Sequence, residues 1–103
     1  MEYCEIQLYL ESNIYEDVDI KIYIREKEIC LREYTYEHSP GESYGVLHIV
    51  NENNVQKFLQ YIKTGESDDI SEIIKQKFFG KDGATKFKSF CDTYFIKYDS
   101  YSL

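Results

Sequence analysis

Reactive side chains are few in this chain and poorly placed for one another. His38 and His48 are the only imidazoles, and they are not at metal-ligand spacing, with no further ligand set beside Glu37-His38. His38 adjoins Ser39, a base next to a hydroxyl, but no nucleophile elbow and no third orienting residue accompany them. His48 falls inside a run with strand character and reads as a packed or surface histidine. Cys4, Cys30 and Cys91 are odd in number, widely separated and lack a CxxC. They read as reduced, mostly buried small hydrophobes rather than as a disulfide framework or a zinc site. Gly65, Gly80 and Gly83 form no phosphate-binding loop and serve better as helix stops. The expectation is a protein without catalytic residues, metal or cofactor.

What is dense in the chain is contact chemistry. The stretch Glu33 to Tyr44, EYTYEHSPGESY, holds three tyrosines, three glutamates, a histidine and the only proline. Residues 1–54 carry twelve acidic and four basic side chains, against seven and eight in residues 55–103, and seven of the eleven tyrosines also lie in the first part. Tyrosine brings a large, rigid contact area with a hydroxyl at its end, and carboxylates steer an encounter with a basic surface. The formal net charge of −7 opposes nucleic acid or an anionic membrane as partner and favours a basic protein. Lysines 75, 77, 81, 86 and 88, interleaved with Phe78, Phe79 and Phe87, form a local basic patch that reads mainly as the wet side of two helices.

The elements that must position these residues follow from hydrophobic period. Cys4, Ile6, Leu8 and Leu10 alternate with Glu5, Gln7 and Tyr9, and Val18, Ile20, Ile22 and Ile24 alternate with Asp19, Lys21, Tyr23 and Arg25, the period of half-buried strands. A turn at Glu26-Lys27 returns the chain through Glu28 to Tyr36, with Ile29 and Leu31 inward and Cys30, Arg32, Tyr34 and Tyr36 opposite. Ser39-Pro40-Gly41-Glu42 is a turn, and Tyr44 to Val50 a fourth strand.

From Asn51 the period becomes helical. Val55, Phe58, Leu59 and Ile62 form one stripe between an Asn51 cap and Gly65. Ile70, Ile73, Ile74 and Phe78 form a second, capped by Ser67 or Asp68 and stopped at Gly80. Ala84, Phe87, Phe90, Cys91 and Tyr94 form a third, beginning near Asp82. Phe95 to Tyr98 follows as a short extended tail that either adds a strand or simply packs.

The fold class is therefore α+β, an antiparallel sheet of about four strands followed by three helices packed on one face. A single domain spans residues 1–103, with 1–50 mainly strands, 51–94 mainly helices and 95–103 a short extended tail. No apolar run reaches the ~20 residues of a membrane span, and no charged-then-apolar leader opens the chain, so the expected location is the cytoplasm.

In overall character, an acidic tyrosine-rich sheet half with three short helices, the chain resembles the small cytoplasmic immunity proteins of bacterial toxin systems, such as those of contact-dependent growth inhibition. The resemblance implies tight binding to a cognate toxin domain, often a basic nuclease, with occlusion of its active site or substrate surface. The residues expected to carry such contact are Glu33, Tyr34, Tyr36, Glu37, Glu42 and Tyr44, supported by Asp17, Asp19 and Tyr23. Three other readings fit the same composition: a phage-type nucleic-acid mimic acting on a CRISPR nuclease, a small ligand-binding or enzymatic module using His38, and a scaffold that self-associates through its tyrosine face.

Overall fold

Val18, Ile20, Ile22 and Ile24 place four β-branched side chains on one side of a single strand, and the rest of the core is assembled over them. In the computed structural model, which describes residues 4–63 and 69–103, five strands form one antiparallel sheet: β1 (Cys4–Ser12), β2 (Glu16–Ile24), β3 (Ile29–Glu37), β4 (Glu42–Val50) and β5 (Asp99–Ser102). They lie side by side in chain order. Three helices, α1 (Glu52–Ile62), α2 (Ile70–Phe78) and α3 (Gly83–Thr93), connect β4 to β5 and cover one side of the sheet. The architecture is the α+β sheet-then-helices arrangement that the pattern predicts, with a fifth strand added.

β2 and β3 pair without interruption from Ile24↔Ile29 to Glu16↔Glu37. Ile29 and Leu31 thus share the inner side with the β2 isoleucines, while Arg32, Tyr34 and Tyr36 face the other way. The connection closes with the Arg25 N–H donating to the Glu28 carbonyl at 2.9 Å. β1 departs from its predicted alternation. A bulge between Gln7 and Tyr9 sets Tyr9 opposite Ile20 and Leu10 opposite Asp19, so Tyr9 turns toward the core side and Leu10 is left 68% exposed. One extra residue in one strand exchanges the faces of everything beyond it.

The helices bury the stripes read from sequence: Val55, Phe58 and Ile62 from α1, Ile74 and Phe78 from α2, and Ala84, Phe87, Phe90 and Cys91 from α3. Asn51 Oδ1 accepts the Asn53 N–H at 3.1 Å and caps α1. α2 is capped by Asp69, whose Oδ1 accepts the Glu72 N–H at 3.3 Å. The predicted caps Ser67 and Asp68, and the Gly65 stop, lie outside the described residues. Gly80 follows α2 with φ +113°, a conformation that glycine adopts freely.

The tail differs from a plain extended segment over Phe95–Tyr98. Phe95 takes a left-handed backbone (φ 56°) and the Ile96 N–H bonds back to the Cys91 carbonyl at 2.8 Å, the closing bond of a Schellman-type helix end that usually employs glycine. Ile96 drops into the core and the strand begins only at Asp99. Without a glycine there, the sequence gives no sign of this reversal.

His48 is buried on the inner side of β4. Its Nδ1 lies 2.7 Å from Ser100 Oγ on β5, and its ring meets Tyr98 edge-on. Burial, followed by the nearby Lys88 charge, lowers its pKa below the ordinary 6.5. The unfolded chain therefore binds a proton that the native state refuses. The stability owed to neutral His48 is complete above about pH 6.5 and is lost as pH falls toward the native value. Melting temperature should decline from pH 7.5 to 5.5 in the wild type and decline less in His48→Gln. Equal slopes would show that another group dominates.

Candidate partner-binding surface

Strands of nine residues are about 30 Å long, longer than the layer of helices above them, and the molecule measures 43 × 26 × 25 Å. The α2–α3 turn sits over Leu8 and Ile20: the Gly80 N–H bonds to the Leu8 carbonyl at 3.1 Å, and Gly83 lies against both side chains. Val18 is the last inner side chain of β2 buried in the core, and beyond it the sheet runs on to two adjacent hairpins, which join through the His38 N–H and the Tyr15 carbonyl at 2.9 Å. Residues 9–19 and 33–46 make up this free end. They hold seven carboxylates and five tyrosines, with no lysine or arginine.

Alternation divides the candidate residues between the two faces of that layer. On the face away from the helices lie Asp17, Asp19, Tyr34 and Tyr36, since Asp17 pairs Tyr36 and Asp19 pairs Tyr34. On the helix side lie Glu33, Glu37, Glu42 and Tyr44, because Glu33 pairs Ile20, Glu37 pairs Glu16 and Glu42, and Tyr44 pairs Thr35. The twelve-residue stretch is thus not one face; it is both faces of one projecting sheet end. Tyr23 is set apart, six residues or about 20 Å along β2 from Asp17, with the Arg25 guanidinium 5.5 Å from its ring centre.

The helix side of the free end carries the denser charge. Glu16, Glu37 and Glu42 stand directly opposite one another on three adjacent strands, where side chains are only about 4.5–5.5 Å apart. Glu11, opposite Val18, and Glu33, opposite Ile20, lie further along the same side, and the structure gives none of the five a basic partner among the described residues. Neighbouring phenols supply hydrogen bonds instead. The Tyr9 hydroxyl donates to Glu11 Oε2 at 2.8 Å. Tyr44 bonds Glu37, and that bond, then partial burial and the Glu37 and Glu16 charges, raise its pKa above the ordinary 10. Tyr9 is raised in the same way, first by its bond to Glu11. Both phenols stay protonated as donors, and Tyr44 remains 53% exposed.

The other face is more mixed. The Arg32 guanidinium covers the Tyr34 ring at 5.0 Å, and Lys21 Nζ stands 3.8 Å from Asp19 Oδ2. Asp17 accepts the Ser12 hydroxyl at 2.5 Å and lies 3.1 Å from His38 Nε2. These two hydrogen bonds, Ser12 first, hold its carboxyl below the ordinary range. His38 thus turns to Asp17, with Tyr36 against its ring at 5.6 Å. Ser12 and His38 meet the same carboxylate oxygen, and the trio braces the two hairpins.

Elsewhere, Cys91 is buried, and burial followed by the Asp92 charge pushes its thiol up to about 12, far from a reactive thiolate. Among the described residues no three His, Cys, Asp or Glu side chains converge as a metal ion requires, and no helix is long and apolar enough to cross a membrane.

The sequence pattern does not single out Glu11 and Glu16, and it sets Tyr9 on the face away from the core, where the bulge does not leave it. The signal for them was strand register, which places residues distant in sequence on the same rungs as Glu37 and Tyr44. Comparison with known proteins adds no family to this picture: no protein-family model, no curated protein and no solved structure matches the chain.

Proposed function

We propose that this protein is an inhibitor of the immunity type, which neutralises a basic toxin domain, a nuclease in the first instance, by docking the free end of its sheet into the toxin's cationic groove. The observation that carries the reading is the composition of that end: seven carboxylates and five tyrosines without a lysine or arginine, projecting beyond the helices. A nuclease groove is built to hold phosphates. A single-layer wedge with carboxylates on both faces competes for the same cations, while its tyrosines supply the buried contact that slows dissociation. On this reading the protein is a binding partner and performs no catalysis of its own.

The test is co-expression with the product of the adjacent gene. A stable complex is expected, together with rescue of growth from that product's toxicity. Within such a complex Tyr44→Ala should weaken binding by about 2 kcal/mol, roughly 30-fold. Absence of any toxic partner, combined with charge reversal at Glu33, Glu37 and Glu42 that leaves every measured interaction unchanged, defeats the proposal.

A further inference from the structure

An open sheet has two edges, and the fold treats them differently. The β1 edge is broken by its bulge, beside which the Leu8 carbonyl is already engaged by the Gly80 N–H. Devices of this kind block the addition of another strand. The β5 edge is short and carries Asp99, but it has no bulge, proline or lysine, and all four of its residues are exposed.

Register fixes which of its backbone groups face outward. The Leu103 N–H donates to the Gly45 carbonyl at 2.9 Å, and β4 pairs β5 as Val46↔Ser102, Leu47↔Tyr101, His48↔Ser100 and Ile49↔Asp99. Hydrogen-bonded and non-bonded pairs alternate in an antiparallel ladder, so Leu47 and Tyr101 form a bonded pair. Ser100 and Ser102 therefore direct their N–H and C=O groups away from β4.

We infer that this edge takes the β5 strand of a second copy, joining two sheets into one about a twofold axis through Tyr101. Placing Ser100 opposite Ser102 of the second copy, and the reverse, pairs every outward group of both strands. Tyr101 then meets its own symmetry mate in a non-bonded pair, where Cα atoms approach to about 4.5 Å.

The side chains suit a copy of the same strand. On the open face Tyr101, at 53% exposed, stands beside Leu47 and the exposed Leu103, so the axis joins two apolar strips. On the helix side the facing residues are small serines. Asp99 falls opposite Leu103 of the second copy, so no carboxylate side chain faces another across the new ladder, although each chain carries −7. The antiparallel arrangement also points the two acidic ends in opposite directions. Tyr36 and Tyr44 lie on β3 and β4, off the new ladder, so this assembly does not rest on the inhibitor reading.

Light scattering over a concentration series is expected to show a monomer–dimer equilibrium. Ser102→Pro removes an outward N–H and leaves the β4 ladder intact, so it should give a monomer with an unchanged circular dichroism spectrum. Tyr101→Cys should form an interchain disulfide on mild oxidation, because its Cα separation falls within disulfide range. Cysteine at Ser43, exposed on the same face but off β5, should not. A monomer at every concentration, with no cross-link at Tyr101→Cys above the parent level, overturns the inference. So does a dimer that survives Ser102→Pro, or an edge that becomes protected only when a foreign strand is added.

Discussion

Replacing Glu16, Glu37 and Glu42 with glutamine is expected to raise the melting temperature by several degrees and at the same time slow association with the partner at least about tenfold. The first half follows from register. The three glutamates occupy one rung of three adjacent strands with no basic side chain paired to them among the described residues, and like charges directly opposite cost about 0.2–1 kcal/mol per pair. Two such pairs amount to roughly 1 kcal/mol, which in a domain of this size moves the transition by about 4–8 °C. Glutamine keeps a carbonyl at position 37 to accept the Tyr44 hydroxyl, so the change removes charge and little else. The second half follows from the function proposed for the free end, where carboxylates govern encounter rate and its salt dependence. Stability and binding should therefore move in opposite directions. A triple variant that melts no higher would show that the row is not under strain, and one that associates at the wild-type rate, with the same salt dependence, would remove the free end from the interface.

The division of these residues between two faces changes what kind of partner surface fits. A flat acidic face would meet a flat basic patch. A projecting layer about one strand thick, with Asp17, Asp19 and Tyr36 on one side and Glu33, Glu37 and Tyr44 on the other, is suited to a cleft whose two walls are both cationic. The hairpin brace formed by Ser12, Asp17 and His38 stiffens that layer and lowers the ordering cost of insertion.

The parts of this architecture that the sequence discloses are those governed by local period. Val18 to Ile24 alternate without interruption and lie where the pattern puts them, as do the apolar stripes of the three helices. The parts it conceals depend on single backbone events. The bulge beside Leu8 carries no glycine or proline to announce it, yet it exchanges Tyr9 and Leu10 between faces. The left-handed turn at Phe95 uses a phenylalanine where glycine is usual, and so delays β5 to Asp99. The candidate site was visible as composition, in EYTYEHSPGESY and in the charge imbalance between the two parts of the chain. Its geometry was not, because pairing across strands brings in Glu11, Glu16 and Tyr9, and because nothing local reveals that the helices stop short of the sheet's end.

Phe58→Ala should have the largest effect on stability and, below its own melting transition, none on binding. Phe58 is fully buried where the three helices meet, with ring centres 5.2 Å from Phe90, 5.7 Å from Phe87 and 6.4 Å from Phe78. Truncation removes its transfer energy, its edge-to-face contact with Phe90 and the filling of the space between helices, together about 3–5 kcal/mol. Against a total of roughly 5–15 kcal/mol for a domain of this kind, that lowers the transition by about 15 °C or more. Phe79, next to a helix end but 58% exposed, provides the contrast: Phe79→Ser should stay within about 0.5 kcal/mol of wild type. A loss smaller than about 1 kcal/mol at Phe58 would mean that the helices repack around the vacancy and that the aromatic cluster is not what holds them together. Because Phe58 lies among the helices and not on the exposed surface of the free end, affinity measured well below the lowered transition should match the wild type. A binding defect there would show that the helix layer itself contributes to the contact surface or sets the twist of the sheet end.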